Sequence, residues 1–346
     1  MDIGNKIKQL RTHAGMTQEA LAAKLGISAQ SVSKWETTVT MPDITLLPTL
    51  AGELGVSIDD LFDLTNEQKL HRIERRMDIE EEFSPAAFAE YEAFLKNQLL
   101  EHPDNNKLYS LLGQLYHHRM VSDSRKASKF ARQAIMQRPE IKECQYLLQK
   151  ADGAAIWDWN ISHHTSVINF YKSVIAQDNI EPRTPLPYYE VMDNLIADHR
   201  TKEAEEYLSI YQKLPAHKPF LIPVYQAAIA LAEYNAPKAE SIMQKAEQEY
   251  GNHAGFLFEK AQYHARKCEY DQAIAYYERS WSMEMKPRYT DALEAIAIIY
   301  EIKGEKGKAI ESYDRMIRCI KEDWNYTDDD AAVIEVEREK ARLRSE

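Results

Sequence analysis

Four alanines, Ala204, Ala239, Ala273 and Ala309, recur at steps of 35, 34 and 36 residues, and no other feature limits the possible folds as much. A fixed period of this length marks one supersecondary unit whose apolar face is too small to close on itself, so successive units must stack and share a core. Helices are the expected material of the units. Only 11 Gly and 13 Pro interrupt 346 residues, and 44% hydrophobic with 28% charged residues can supply amphipathic faces. The same balance excludes disordered and collagen-like chains. No apolar run approaches the ~18 residues of a membrane span, and Met1-Asp2-Ile3 opens without a basic-then-apolar signal, so a cytoplasmic location and no membrane partner are expected. Cys144, Cys268 and Cys319 are far apart and form no C-x-x-C, which supports neither a disulfide framework nor a zinc site.

Residues 1–63 follow a different pattern. Ile3, Ile7 and Leu10 lie at helical spacing and stop before Gly15. Thr17 can cap a second helix through Ala23, with Glu19 in its first turn, and Ser28 can cap a third through Glu36. Leu25-Gly26-Ile27 separates the two, which is helix-turn-helix spacing. Leu21, Ala22, Leu25, Val32 and Trp35 form the inward set. Gln18, Ser28, Ala29, Gln30, Ser33 and Lys34 remain outside, with chemistry suited to a DNA groove: Gln pairs with adenine, Lys donates to guanine or phosphate, and Ala touches a thymine methyl. Lys6, Lys8 and Arg11 lie off the first helix's apolar stripe. Residues 1–40 hold five Lys/Arg against three Asp/Glu, residues 41–63 hold five acids and no base, and the whole chain carries −12. Nucleic acid must therefore meet the first part of this domain, because the rest repels phosphate. Pro48 places a fourth helix from about Thr45, and Ser57 with Asp60 predicts a short fifth ending near Phe62. So thin a core favours packing against a second copy.

The stretch TQEALAAKLGISAQSVSKWE, followed by MPDITLLPTLAGELGVSIDDLF, resembles the Cro/CI-type (XRE) helix-turn-helix domain of bacterial and phage repressors over about the first 63 residues. The resemblance implies a five-helix lambda-repressor-like DNA-binding domain that meets a double-stranded operator as a homodimer. By it Gln18 binds a phosphate and braces the recognition helix, Ala29, Gln30 and Lys34 face base edges, and Ser28, Ser31 and Ser33 lie near the backbone or groove wall. Lys6, Lys8 and Arg11 complete the expected DNA-binding set. Thr37-Thr38 departs from the pattern, since related sequences carry a glycine just after Trp-Glu to end the helix in a left-handed turn.

Residues 64–84 read as a charged linker helix, with Lys69, Arg72, Arg75 and Arg76 preceding Asp78, Glu80, Glu81 and Glu82. Ser84 and Pro85 open the next helix, with Phe83 and Phe88 as a staple. From 85 to 346 the chain resembles tetratricopeptide (TPR) repeats, giving an all-α solenoid. Leu293, Ala297, Tyr300, Gly304, Ala309 and Tyr313 match the repeat directly. Tyr109, Leu112, Gly113, Tyr116, Ala127, Ala134 and Pro139 match with two extra residues in a turn near Asp123, and a degenerate unit is expected with Trp157 and Phe170 in its two helices. A last helix from about Asp328 caps the stack or, alternatively, pairs two subunits. The combination resembles regulators of Gram-positive bacteria that respond to short signalling peptides. It implies a solenoid that mediates oligomerisation or takes a peptide or protein effector in the TPR groove, a peptide's backbone being held by carboxamides such as Asn169 and Asn194.

Nothing points to catalysis. GEKGK at 304–308 has the wrong spacing for a phosphate loop, His117-His118 and His163-His164 are adjacent pairs that point apart on a helix, and no G-x-S-x-G elbow occurs. No enzyme activity, cofactor or metal is expected. The leading reading is a sequence-specific transcriptional regulator, a dimeric repressor. The competing one is an interaction adaptor whose helix-turn-helix is a docking module. The five bases against eight acids of residues 1–63 favour the adaptor; the outward face of Gln18, Gln30 and Lys34 favours the DNA reader.

Overall fold

The computed structural model describes residues 3–56, 58, 61–62, 65–154, 163–177 and 184–345, and among them every regular element is helical. None of these helices is long and apolar enough to cross a membrane. The chain divides into two compact units, Met1–Ser122 and Asp123–Glu346.

The first unit holds two cores. Around the first lie α1 (Ile3–His13), α2 (Gln18–Leu25), α3 (Ala29–Glu36) and α4 (Leu47–Leu54), the last entered through a 3₁₀ turn at Ile44–Leu46. The caps are those the sequence predicts: Thr17 accepts from the Ala20 amide and Ser28 from the Ser31 amide, while Pro48 sits in the first turn of α4. Ile7, Leu21, Val32, Leu50 and Leu61 are completely buried together. Ser57 and Asp60, expected to open a fifth helix, lie outside the described residues.

The second core is built by α5 (Asn66–Ile79), α6 (Pro85–Glu101) and α7 (Asn106–Gln137). The segment expected as a charged linker helix has a packed face. A Thr65–Gln68 capping box starts α5, Ile73 is buried against Phe88, Leu95 and Leu111, and Leu70 and Met77 flank it. Arg76, one of its basic residues, lies 5.1 Å from the Phe83 ring centroid and bonds Glu80 and Tyr91.

The turn expected near Asp123 does not exist. Residues 114–138 contain neither Gly nor Pro, so α7 runs unbroken, and the division between the two units falls within it. Its buried stripe is Leu108, Leu111 and Leu115, whereas Tyr109 and Tyr116 are exposed. The proposed repeat at 109–139 is therefore one helix in the wrong register, not a helix pair.

In the second unit α8 (Lys142–Ala151) and α9 (Thr165–Ile175) precede four helical hairpins. These are α10 (Leu186–Ala197) with α11 (Thr201–Tyr211), α12 (Leu221–Ala232) with α13 (Ala236–Tyr250), α14 (Ala254–Arg266) with α15 (Tyr270–Ser282), and α16 (Asp291–Ile302) with α17 (Lys306–Trp324). The four periodic alanines each sit near the start of the second helix and are 0% exposed. Helix α18 (Ala331–Ser345) closes the stack with Val333, Val336 and Leu343 against α17. Phe170 is exposed on α9, and Trp157 lies outside the described residues.

Every hairpin turns the same way. The residue five positions before each alanine adopts left-handed backbone: His199 (φ 55°), Tyr234 (φ 59°), Cys268 (φ 59°) and Gly304 (φ 73°). The next amide then bonds back to the first helix, Arg200 to Leu195, Asn235 to Ala230, Glu269 to His264 and Glu305 to Tyr300, at 2.8–3.0 Å. Only Gly304 adopts this conformation without a Cβ penalty, which is about 1 kcal/mol for other residues. Cys268→Gly should therefore stabilise the unit by roughly 0.5–1 kcal/mol and Gly304→Ala should destabilise it by about as much. Urea midpoints of the two variants shifting in opposite directions would verify the turn; shifts of the same sign would refute it.

Candidate nucleic-acid interface

The geometry of the α2–α3 unit begins with Gly26. Its φ of 68° and ψ of 29° end α2, and the Ile27 amide bonds to the Ala22 carbonyl at 3.0 Å. This turn lets Leu21, Ala22 and Leu25 of α2 meet Val32 and Trp35 of α3 in one core. Helix α1 crosses α3 at Gly4, where a Cβ would lie 2.0 Å from the Trp35 carbonyl oxygen. No side chain fits there, so Gly4 sets the distance between the two helices.

Burying Val32 and Trp35 turns the opposite side of α3 outward. Gln30 and Lys34 are exposed there, one turn apart, and their side chains make no hydrogen bond or ion pair within the described residues. Ala29 and Ser33 are half-exposed on the same side. Ser28 caps the helix, and its hydroxyl shares a 2.9 Å hydrogen bond with Ser31. At the far end, where related sequences carry glycine, Thr38 itself takes the left-handed conformation at φ 58°, and the Val39 amide bonds to the Lys34 carbonyl at 2.9 Å. The missing glycine leaves the turn intact.

Glu36 is the residue that sequence reasoning missed. Its carboxylate, 2% exposed, accepts Arg11 Nε at 2.5 Å, Arg11 Nη2 at 3.0 Å and Gln18 Nε2 at 2.8 Å. Arg11 Nη1 also donates to the Met16 carbonyl at 2.6 Å. Arg11 was expected on the DNA; instead, all three of its nitrogens are engaged inside the domain, joining α1 to the end of α3. Gln18 reaches from the start of α2 to the same carboxylate and braces α3. The available signal was an acid in the last helical turn, which the helix dipole disfavours unless a cation compensates. Lys6 and Lys8 are on α1, half-exposed and exposed respectively.

Burial by itself pushes the Glu36 carboxyl up, but the hydrogen bonds from Arg11 and Gln18 outweigh it and hold the group below its ordinary value of 4.5. A carboxyl with a lowered folded-state pKa contributes stability that is complete above the unfolded value and is lost as pH falls through the folded one. Glu36→Gln should therefore cost about 2 kcal/mol at neutral pH, with the gap from the parent closing below about pH 4. Hydrogen exchange of the α3 amides at the two pH values reads this locally; equal protection at neutral pH would show that the clamp contributes nothing.

The second unit offers a groove. Helices α10, α12 and α14, the first members of successive hairpins, lie side by side and border a cavity of about 750 Å³. Leu221 and Val224 give it an apolar wall, and the rings of Tyr189 and Tyr225 stack at 6.4 Å and 14°. Neither carboxamide expected there lines it. Asn169 is exposed on α9, and the Asn194 amide donates to the Glu190 carbonyl of its own helix at 2.8 Å.

The helix-turn-helix family model matches residues 7–61. An uncharacterized HTH-type transcriptional regulator of Methanocaldococcus jannaschii is 40% identical over 58 residues, covering 17% of this chain and 88% of that protein. This chain belongs to the XRE-type helix-turn-helix family. The family is regulatory and not enzymatic. The helix-turn-helix protein is also similar to the HTH-type transcriptional activator BcrR of Enterococcus faecalis, 37% identical over 62 residues, which are 18% of this chain and 30% of BcrR. The match thus spans under a third of that relative's length. Among solved structures, that of Bacillus thuringiensis PlcR in complex with the peptide PapR7 and DNA aligns over 90% of this chain and 98% of that one, at 12% identity and a TM-score of 0.23.

Proposed function

We propose that the protein is a sequence-specific DNA-binding transcriptional regulator that works as a homodimer, placing α3 of each copy in successive major grooves of an operator. The observation that carries this is the outward side of α3. Gln30 and Lys34 have no partner among the described residues, yet the helix presenting them is clamped at its end by Glu36, Arg11 and Gln18. A helix held this firmly loses little freedom on meeting a rigid groove. In this reading Gln30, Lys34 and Ala29 contact base edges, and Ser28, Ser31 and Ser33 lie along the groove wall. Gln18 keeps one amide proton for a phosphate, Lys6 and Lys8 add phosphate contacts, and Arg11 acts only through α3. We take repression as the sign of regulation from the likeness to Cro/CI-type repressors. The groove of α10, α12 and α14 is the seat of a peptide or protein effector, and the open volume among hairpin first helices supports that assignment.

Selection of the full chain on a random duplex pool, at two salt concentrations, tests the DNA reading. The expected product is an inverted repeat with half-sites about 34 Å apart. Gln30→Ala and Lys34→Ala should each lose ~1–3 kcal/mol at particular base pairs. Indifference of both variants on every selected duplex would exclude base readout by α3 and favour the adaptor function.

A further inference from the structure

Several charges of the second unit are paired between neighbouring elements. Glu240 meets Lys267 at 3.0 Å, Glu278 meets Arg315, Glu203 meets Lys172, and Asp323 meets Arg288 at 2.8 Å. The α10–α12–α14 groove gathers charges of both signs. It is lined by Glu190, Asp193 and Glu259 and by Lys218 and Arg266, and none of these five side chains forms an ion pair within the described residues.

Asp193 and Glu259 line the groove from α10 and α14, Asp193 exposed and Glu259 half-buried. For Asp193 desolvation lifts the carboxyl above its ordinary range, and Glu190 pushes it further; the Tyr225 hydroxyl and Arg266 pull it down, but by less. For Glu259 desolvation again dominates, Asp193 adds to it, and Arg266 and Lys218 offset only part. The protein's own cations therefore leave both carboxylates undercompensated. Unpaired charges in a concave, partly apolar site cost stability in the empty protein and are recovered only when a complementary ion enters.

We propose that the groove takes an extended peptide carrying a basic side chain, whose cation sits between the Asp193 and Glu259 carboxylates while its apolar neighbours lie on the Leu221 and Val224 wall. The proposal rests on the effector reading above and names the chemistry of its ligand. Three carboxylates against two cations give the groove the complementary sign. The cavity, about 750 Å³, holds a few side chains of a chain running across three helices.

The test uses the immobilised full-length protein and pools of short peptides, acetylated and amidated to remove terminal charge. Each pool has one central residue fixed as Lys, Arg, Leu or Glu. Lys and Arg pools should be retained about tenfold better than the Glu pool. The isosteric Asp193→Asn, Glu259→Gln double variant should abolish that preference while still retaining the Leu pool. Because neither carboxylate has an ion-pair partner to lose among the described residues, the variant should keep the parent's helical circular dichroism and melt no lower than the parent. Retention without a basic preference, or a preference unchanged in the double variant, would overturn the cation seat and leave the peptide reading standing. Retention of no pool by the parent would overturn the peptide reading and the seat with it.

Discussion

Two helices can lie close along their lengths only where the residues between them are small, and each part of this protein observes that constraint. In the first core Gly4 allows α1 to touch the backbone of α3 at Trp35, and Ala22 keeps α2 near α3. In the second unit the fully buried Ala204, Ala239, Ala273 and Ala309 hold the same place in four hairpins. Dispersion falls off steeply with separation, so a larger side chain at such a point would lose the contacts around it as well as its own. The periodic alanines and the left-handed residue five positions before each are two aspects of one device: the turn sets where the second helix begins, and the alanine sets how near it comes.

The outward side of α3 depends on an interaction of another kind. A short helix at the surface of a thin core would be loosely held by packing alone. Glu36 ties its end to α1 and α2 through Arg11 and Gln18, with burial keeping water away and hydrogen bonds compensating the charge. Holding the helix and forming its outward face thus fall to different residues. Glu36 and Arg11 are internal; Gln30 and Lys34 are left outside without partners among the described residues.

The groove reverses this treatment of charge. Glu240 of α13 and Glu278 of α15 are matched by Lys267 and Arg315, whereas α10 and α14 present Glu190, Asp193 and Glu259 to an open groove with no ion pair among the described residues. Paired surface charges add little to stability, so the contrast matters for recognition more than for folding. A surface with uncompensated charge discriminates among visitors by sign.

Local chemistry was readable in advance where it acts over a few residues. The caps at Thr17 and Ser28, the turn at Gly26, the burial of Val32 and Trp35 and the hairpin alanines all follow from period, cap and breaker, because each depends on near neighbours in the chain. The errors arose where distant partners decide. Asp123 was read as a turn although nothing there stops a helix, since α7 carries apolar residues in two registers and only packing against α5 and α6 selects Leu108, Leu111 and Leu115. Arg11 was read as a DNA contact because its partner, Glu36, lies 25 residues away. The sequence alone determined the family, the all-helical class and the repeating hairpins, which are matters of pattern. The tertiary structure decided which charges are spent inside the protein and which stay available, because charge pairing depends on distance in space.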